Sequence, residues 1–310
     1  SGEKMSKSKG NDIAPHEYGA ETTRLFVLSA AHPNRDFEWT ATSVDGAYEF
    51  QQTLYGLVEA FAGGAVREES HDHDRYLERE TDRTVAAVTE EFERFRLHRA
   101  VAELRDYLGL LRRYREYDTP HRYTYARALR TLTALVAPLA PYLAEECWHR
   151  LDEPGLAATA DWPSPLRPAE DHRLERQLVR STREDVREIL GVVDIDAPDA
   201  IEIVVAQDWK YAAYERAREV DPGVSLVDTL LGSDGVPRSE AAADFLVDLD
   251  GRRPGLEPVV DGERERDLLE AAAWLFEDEF DASVAVRRAE DGDADLASRT
   301  RPNRPAIYIS

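Results

Sequence analysis

Apolar residues recur at helical spacing along the first half of the chain. Leu25, Leu28 and Ala31 stand three apart behind Ala20, which predicts a helix over residues 20–31, with Pro15 suited to an earlier turn and Gly19 to the break between them. Phe37 and Trp39 alternate with Asp36, Glu38 and Thr40, the mark of a short half-buried extended segment with Trp39 as a packing anchor. Residues 46–151 then read as a bundle of about five helices. Their stripes are Leu54, Leu57, Val58 and Phe61 before a stop at Gly63-Gly64; Leu77, Thr81, Val85, Val88, Phe92 and Phe95; Val101, Leu104, Leu108 and Leu111; Tyr125, Leu129, Leu132 and Val136; and Tyr142 to Leu151 after Pro138 and Pro141.

Residues 157–168, with Trp162-Pro163 and three prolines, read as a linker out of the bundle. Beyond them the pattern changes. A helix over about 168–190 carries Leu174, Leu178, Val186 and Ile189, and strands at 201–205, 283–286 and 306–309 alternate with helices at 210–219, 225–231, 240–249 and 263–276. Strands separated by helices favour a layered sheet. The fold class is therefore mainly α: a joint segment, a helical bundle, then a small mixed α/β domain.

Composition narrows the setting. With 310 residues and 42% hydrophobic content the chain can build two or three cores. The formal charge of −23 resembles proteins of a high-salt cytoplasm, in which dense carboxylates keep the surface hydrated. A single cysteine excludes an internal disulfide framework, and Cys147 lies among helical apolar residues as a buried thiol would. No apolar run approaches the roughly eighteen residues that cross a bilayer, and no signal peptide precedes Ser1, so a soluble cytoplasmic protein without membrane contact is expected. A start at serine inside a motif implies the C-terminal piece of a longer polypeptide.

Three of the four lysines, Lys4, Lys7 and Lys9, fall within the first eleven residues of a chain that otherwise uses arginine. They alternate with Met5, Ser6 and Ser8 and close on Gly10-Asn11, with no apolar face to bury, so the stretch reads as a mobile cationic loop. Ammonium groups on flexible stems suit phosphate oxygens whose charge shifts during a reaction. A Walker-type phosphate loop fails, because Lys7 stands where its second glycine belongs.

Lys4-Met5-Ser6-Lys7-Ser8-Lys9-Gly10-Asn11 resembles the mobile ATP loop of class I aminoacyl-tRNA synthetases. Glu17 to Phe26, Arg35-Asp36-Phe37-Glu38-Trp39-Thr40 and Val44 to Tyr48 resemble the leucyl-tRNA synthetase family, and Ala137 to Trp148 is similar to the last helix of the anticodon-binding domain shared with the valyl and isoleucyl enzymes. The weaker C-terminal likeness is to the extension of archaeal-type, haloarchaeal members, which in that family contacts the long variable arm of leucine tRNA. The resemblance implies three domains: 1–45 as the end of the catalytic region, 46–165 as the anticodon-binding-type bundle and 166–310 as the extension. It implies ATP, with Mg2+, and leucine as substrates, and tRNA(Leu) as partner. Lys7 and Lys4 become the catalytic cations, and Lys4, Met5, Ser6, Lys7 and Ser8 the ATP contacts. A cytoplasmic enzyme, monomeric when full length, is expected. The His-Ile-Gly-His signature, the amino-acid pocket and the editing domain are absent from these residues, so the fragment alone is not expected to be active. A valyl or isoleucyl enzyme and a non-catalytic tRNA-binding module are the alternatives.

Charge distribution points to candidate RNA contacts. Residues 91–150 hold eleven arginines against eight carboxylates, a net of +3 in a chain of −23. Arg112, Arg113 and Arg115 cluster before a loop and are the leading candidates; pairing with acidic neighbours is the competing explanation for each arginine. Residues 240–296 carry eighteen acids and six arginines, net −12, a poor RNA surface. The tail differs: Arg299, Arg301 and Arg304 follow with no acid after Asp295, stiffened by Pro302 and Pro305, as a variable-arm contact or a plain edge strand. His71-Asp72-His73-Asp74 reads as a solvated loop between helices, with no third ligand at useful spacing and no metal assigned.

Overall fold

The computed structural model describes residues 15–32, 34–37, 41–167, 169–193, 195, 197–289 and 294–310. The chain divides into two compact units, 1–169 and 170–310. Among the described residues no helix is long and apolar enough to cross a membrane.

Among the described residues the first unit is built of helices: α1 Pro15–Tyr18, α2 Ala20–Ala30, α3 Ala41–Ala62, α4 Asp72–Glu93, α5 Leu97–Tyr117, α6 Arg122–Val136 and α7 Pro141–Arg150. The apolar stripes read from sequence form its interior. Leu25, Leu54, Leu77, Leu104, Leu111, Leu129 and Leu132 are fully buried. Three buried tyrosines keep their hydroxyls satisfied, as apolar burial of a phenol requires. Tyr107 Oη lies 2.6 Å from Thr81 Oγ1, Tyr125 donates to Leu111 O at 3.2 Å, and Tyr114 donates to Asp74 while its ring stacks on Tyr125 at 5.5 Å. Phe95 departs from its expected stripe; it sits beyond α4 at φ 54° with its ring exposed.

Two long-range hooks tie α2 to the start of α7. Glu21 accepts from the backbone N–H of Tyr142 at 2.6 Å and of Leu143 at 2.8 Å, filling orphan donors at a helix start whose dipole favours a carboxylate. Arg24 donates to Leu139 O at 3.0 Å and Pro138 O at 2.9 Å. Phe26 packs edge-on against Phe37 at 5.7 Å, while Trp39, the expected anchor, lies outside the described residues. Cys147 is fully buried, which pushes its thiol up to about 12.

The stretch read as a linker is fastened to the bundle instead. Trp162 packs on Phe92 at 5.4 Å and donates to Thr89 Oγ1 at 2.8 Å, and buried Asp82 accepts from the Leu166 amide at 3.2 Å and Arg167 at 3.3 Å. An aromatic next to proline gains more by covering an apolar flank than by standing in water.

The second unit contains α8 Ala169–Val193, β1 Ala200–Val205, α9 Asp208–Glu219, α10 Leu226–Leu230, α11 Glu240–Arg252, α12 Gly262–Phe280, β2 Ser283–Arg288, α13 Ala294–Arg299 and β3 Ala306–Ile309. The sheet order is β2-β1-β3, with β1 and β2 parallel from Ala200↔Ser283 to Val205↔Arg288 and β3 antiparallel to β1. Central β1 buries Ile201, Ile203, Val204 and Val205, as a strand paired on both sides should. Ala213, Ala217, Leu226, Leu230, Leu246 and Leu249 join α9, α10 and α11 in a second small core.

Candidate nucleic-acid interface

The lysine loop, with Lys4, Met5, Ser6, Lys7 and Ser8, lies outside the described residues. Two arginine groups remain to be placed, one in each unit.

In the bundle, Arg112, Arg113 and Arg115 occupy the last turns of α5, where cations also suit the helix dipole. Arg112 and Arg115, three apart on one face, are exposed, and Arg113 is half-buried. Arg112 faces Glu116 at 3.8 Å with both side chains more than half exposed. Ion pairs of that kind are worth about 0–1 kcal/mol, so they yield readily to a phosphate. Of the other arginines, Arg127 is held by buried Asp82 and Arg96 by Glu91 at 2.6 Å, while Arg122 and Glu68, 2.5 Å apart, form another exposed pair. Arg127 therefore belongs to the packing of α4 against α6.

The segment 71–74 corrects the sequence expectation of a solvated loop. α4 begins at Asp72, and His73 and Asp74 are buried. Arg67, from the α3–α4 connection, donates to Asp74 at 2.6 and 2.8 Å and to Asp118 at 3.1 Å, and its Nη2 lies 2.6 Å from His73 Nε2. A guanidinium only donates, so His73 Nε2 accepts and the ring is neutral. Burial, the leading cause, lowers the pKa of His73 accordingly. For Asp74 burial is also the largest influence and acts upward, but the hydrogen bonds from Arg67, Tyr114 and the His71 amide outweigh it and hold the carboxyl at about 2. Asp118, at the C-cap of α5, supplies the third ligand-type group that the local spacing lacks. Its carboxylate and the rings of His71 and His73 present atoms within 4.8 Å of one another. Arg67 already stands among them as the cation.

In the second unit Arg299 ends α13 and pairs with Asp295 at 3.0 Å, both exposed. Arg301 and Arg304 face across a tight turn, exchanging backbone bonds of 3.0 and 2.9 Å, with Asn303 at φ 57°. Arg301 meets Asp248 at 3.1 Å; Arg304 is exposed and acts electrostatically on Asp185. A short helix, a turn and then β3, at the edge of the sheet, make up the tail.

Two buried ionisable groups behind this turn escaped the sequence reading. Lys210, on α9, is 3% exposed, and burial, then the neighbouring Arg301, pushes it down to about 8. Glu265, on α12, is fully buried, which pushes it up to about 7 against the hydrogen bonds it accepts from Tyr211 and Asn303. The one available signal was Lys210 itself, a lone lysine in an arginine-using chain.

Residues 74–204 match a family model described as the anticodon-binding domain of tRNA ligase. The leucine–tRNA ligase of Halobacterium salinarum is 38% identical over 99% of this chain and 35% of its own length. That of Aeropyrum pernix is 33% identical over 99% of the chain and 33% of its own. A solved structure, the ternary complex of Agrobacterium radiobacter K84 agnB2 LeuRS-tRNA-LeuAMS, shares 26% identity over 53% of this chain and 22% of that one, at a TM-score of 0.46. The chain spans about a third of the length of the curated relatives it matches.

Proposed function

We propose that the chain belongs to the leucyl-tRNA synthetase family, as its C-terminal region, and that it serves the ATP-dependent attachment of leucine to tRNA(Leu). Similarity to leucine–tRNA ligases over 99% of the chain supports this reading. The reaction proceeds in two steps: leucine attacks ATP to give leucyl-adenylate and pyrophosphate, and the terminal adenosine of the tRNA then takes the leucyl group. Negative charge grows on the departing pyrophosphate. Lys7, and secondarily Lys4, stabilise that charge more in the transition state than in bound ATP, while Met5, Ser6 and Ser8 line the nucleotide. ATP enters with Mg2+ as substrate, and the enzyme is cytoplasmic and monomeric when complete.

Residues 1–45 close the catalytic region, 46–165 form the tRNA-binding bundle and 166–310 the extension that reaches the variable arm. Arg112, Arg113 and Arg115 contact tRNA phosphates from the bundle, and Arg299, Arg301 and Arg304 do so from the extension. The exposed Arg112–Glu116 and Arg299–Asp295 pairs are weak enough to exchange for phosphate.

The test uses the complete synthetase. Lys7→Ala lowers leucine-dependent pyrophosphate exchange by about 100-fold with a far smaller change in ATP binding. An unchanged exchange rate would overturn the role of Lys7, and exchange driven by valine or isoleucine in preference to leucine would overturn the substrate.

A further inference from the structure

Lys210 is the one lysine outside the first eleven residues, and a buried ammonium persists only where the fold surrounds it with acceptors. Its Nζ donates to Ala297 O at 2.6 Å, Thr300 O at 2.6 Å and Thr300 Oγ1 at 3.3 Å, beneath the rings of Phe245 at 5.0 Å and Trp209 at 5.6 Å. Those carbonyls belong to the C-terminal end of α13 and the residue that follows, the place where helical acceptors lack partners. The next residue on α9, Tyr211, donates to Glu265 Oε2 at 2.7 Å. The same oxygen accepts from the Asn303 amide at 2.7 Å and from Asn303 Nδ2 at 2.9 Å. Asn303 also exchanges two bonds with the backbone of Val260, at 2.9 and 3.0 Å.

The arginine turn is therefore held at two points: Lys210 of α9 holds Thr300, and Glu265 of α12, itself bonded by Tyr211, holds Asn303. Between and beside those points stand Arg301 and Arg304, their backbones bonded to each other and their guanidinium groups outside the clamp. Pro302 and Pro305, both buried, fix two more backbone torsions. An arginine at position 210 would present a planar fork in place of a compact ammonium and could not converge on three acceptors beneath two rings in the same way.

We propose that Lys210 and Asn303 are positioning residues for tRNA binding: they preset the Arg301–Arg304 turn, so that two cations meet adjacent tRNA phosphates without ordering a loose segment on contact. Neither touches the RNA. Preordering of this kind shows in affinity, because the entropy of fixing the turn is lost on folding and not on binding. This inference rests on the reading of the C-terminal arginines as a tRNA contact.

The experiment is tRNA(Leu) charging by the complete synthetase over a series of KCl concentrations, with Lys210→Met, Asn303→Gly and the double variant Arg301→Ala/Arg304→Ala. The arginine double variant raises the KM for tRNA about tenfold and reduces the salt slope of log KM by about two, one for each lost phosphate contact. Lys210→Met and Asn303→Gly each raise that KM by about fivefold with kcat kept, and neither adds to the defect of the arginine double variant. Should Lys210→Met fail to fold, as loss of its circular dichroism would reveal, Asn303→Gly carries the same comparison, since glycine tolerates the positive φ. Wild-type KM in both clamp variants, beside a raised KM in the arginine variant, would overturn the clamp alone. A wild-type KM and salt slope in the arginine variant would overturn the tail contact and the clamp with it. Clamp defects that add fully to the arginine defect would mark Lys210 and Asn303 as general supports of the unit, against the proposal.

Discussion

Glu265 carries the sharpest single-residue consequence. Its folded pKa of about 7 lies above its ordinary value of 4.5, so the folded unit holds a proton that the unfolded chain releases. The stabilisation from that proton is complete below about pH 4.5 and is lost as pH rises through 7, a difference on the order of 3 kcal/mol. Burial favours the neutral acid and outweighs the three donors that crowd Oε2, while Oε1 has no hydrogen-bond partner in the structure to help hold a charge. Glu265→Gln removes the titration: the unfolding midpoint of the 170–310 unit, followed by Trp209 and Trp274 fluorescence, falls between pH 5 and 8 in the wild type and stays level in the variant. Parallel profiles would rule out Glu265 as the source.

At the scale of elements, the helices and strands were legible wherever apolar residues kept a period. The stripe of Val101, Leu104, Leu108 and Leu111 became the buried side of α5, and the strands at 201–205, 283–286 and 306–309 were found with ends shifted by at most two residues. What escaped was whatever depends on partners remote in sequence. His71 to Asp74 looked like a loop because polar residues outnumber apolar ones there. Arg67, Tyr114 and Asp118, which bury that segment, come from the preceding connection and from a helix forty residues on. The arginine surplus of the bundle was visible, but its division between packing, as in Arg127, and exposed surface, as in Arg112 and Arg115, was not, because carboxylates such as Asp82 reach it only through folding. α13 was missed for its brevity. The start of α4 yields a prediction of its own. The folded pKa of Asp74 lies below its ordinary 3.8, so its contribution is present above that pH and is lost as pH falls towards 2. Asp74→Asn, which leaves Arg67 buried beside a neutral amide, lowers bundle stability at pH 7 by about 3 kcal/mol in urea titration. A loss under about 1 kcal/mol would mean that Asp118 alone suffices for Arg67.

At the scale of the whole chain, a formal charge of −23 sets the terms on which any phosphate can approach. The acidic surplus fits the similarity to a Halobacterium salinarum protein. At about 1 M salt the screening length falls to roughly 3 Å, so carboxylates a few residues away cease to repel a nucleic acid while an arginine in direct contact still binds it. Each direct arginine–phosphate contact also weakens with salt, so the screening of acidic neighbours offsets only part of that loss.

The burial of Lys210 gives the second unit an internal clock. Amine-directed acylating reagents attack only an uncharged, accessible nitrogen, and this one is sealed beneath two rings. Its modification therefore waits for the unit to open, so the appearance of adduct on the Lys210 peptide in a mass spectrum counts openings. In native buffer that adduct forms orders of magnitude more slowly than on a free peptide of the same sequence, and it accelerates in step with added denaturant.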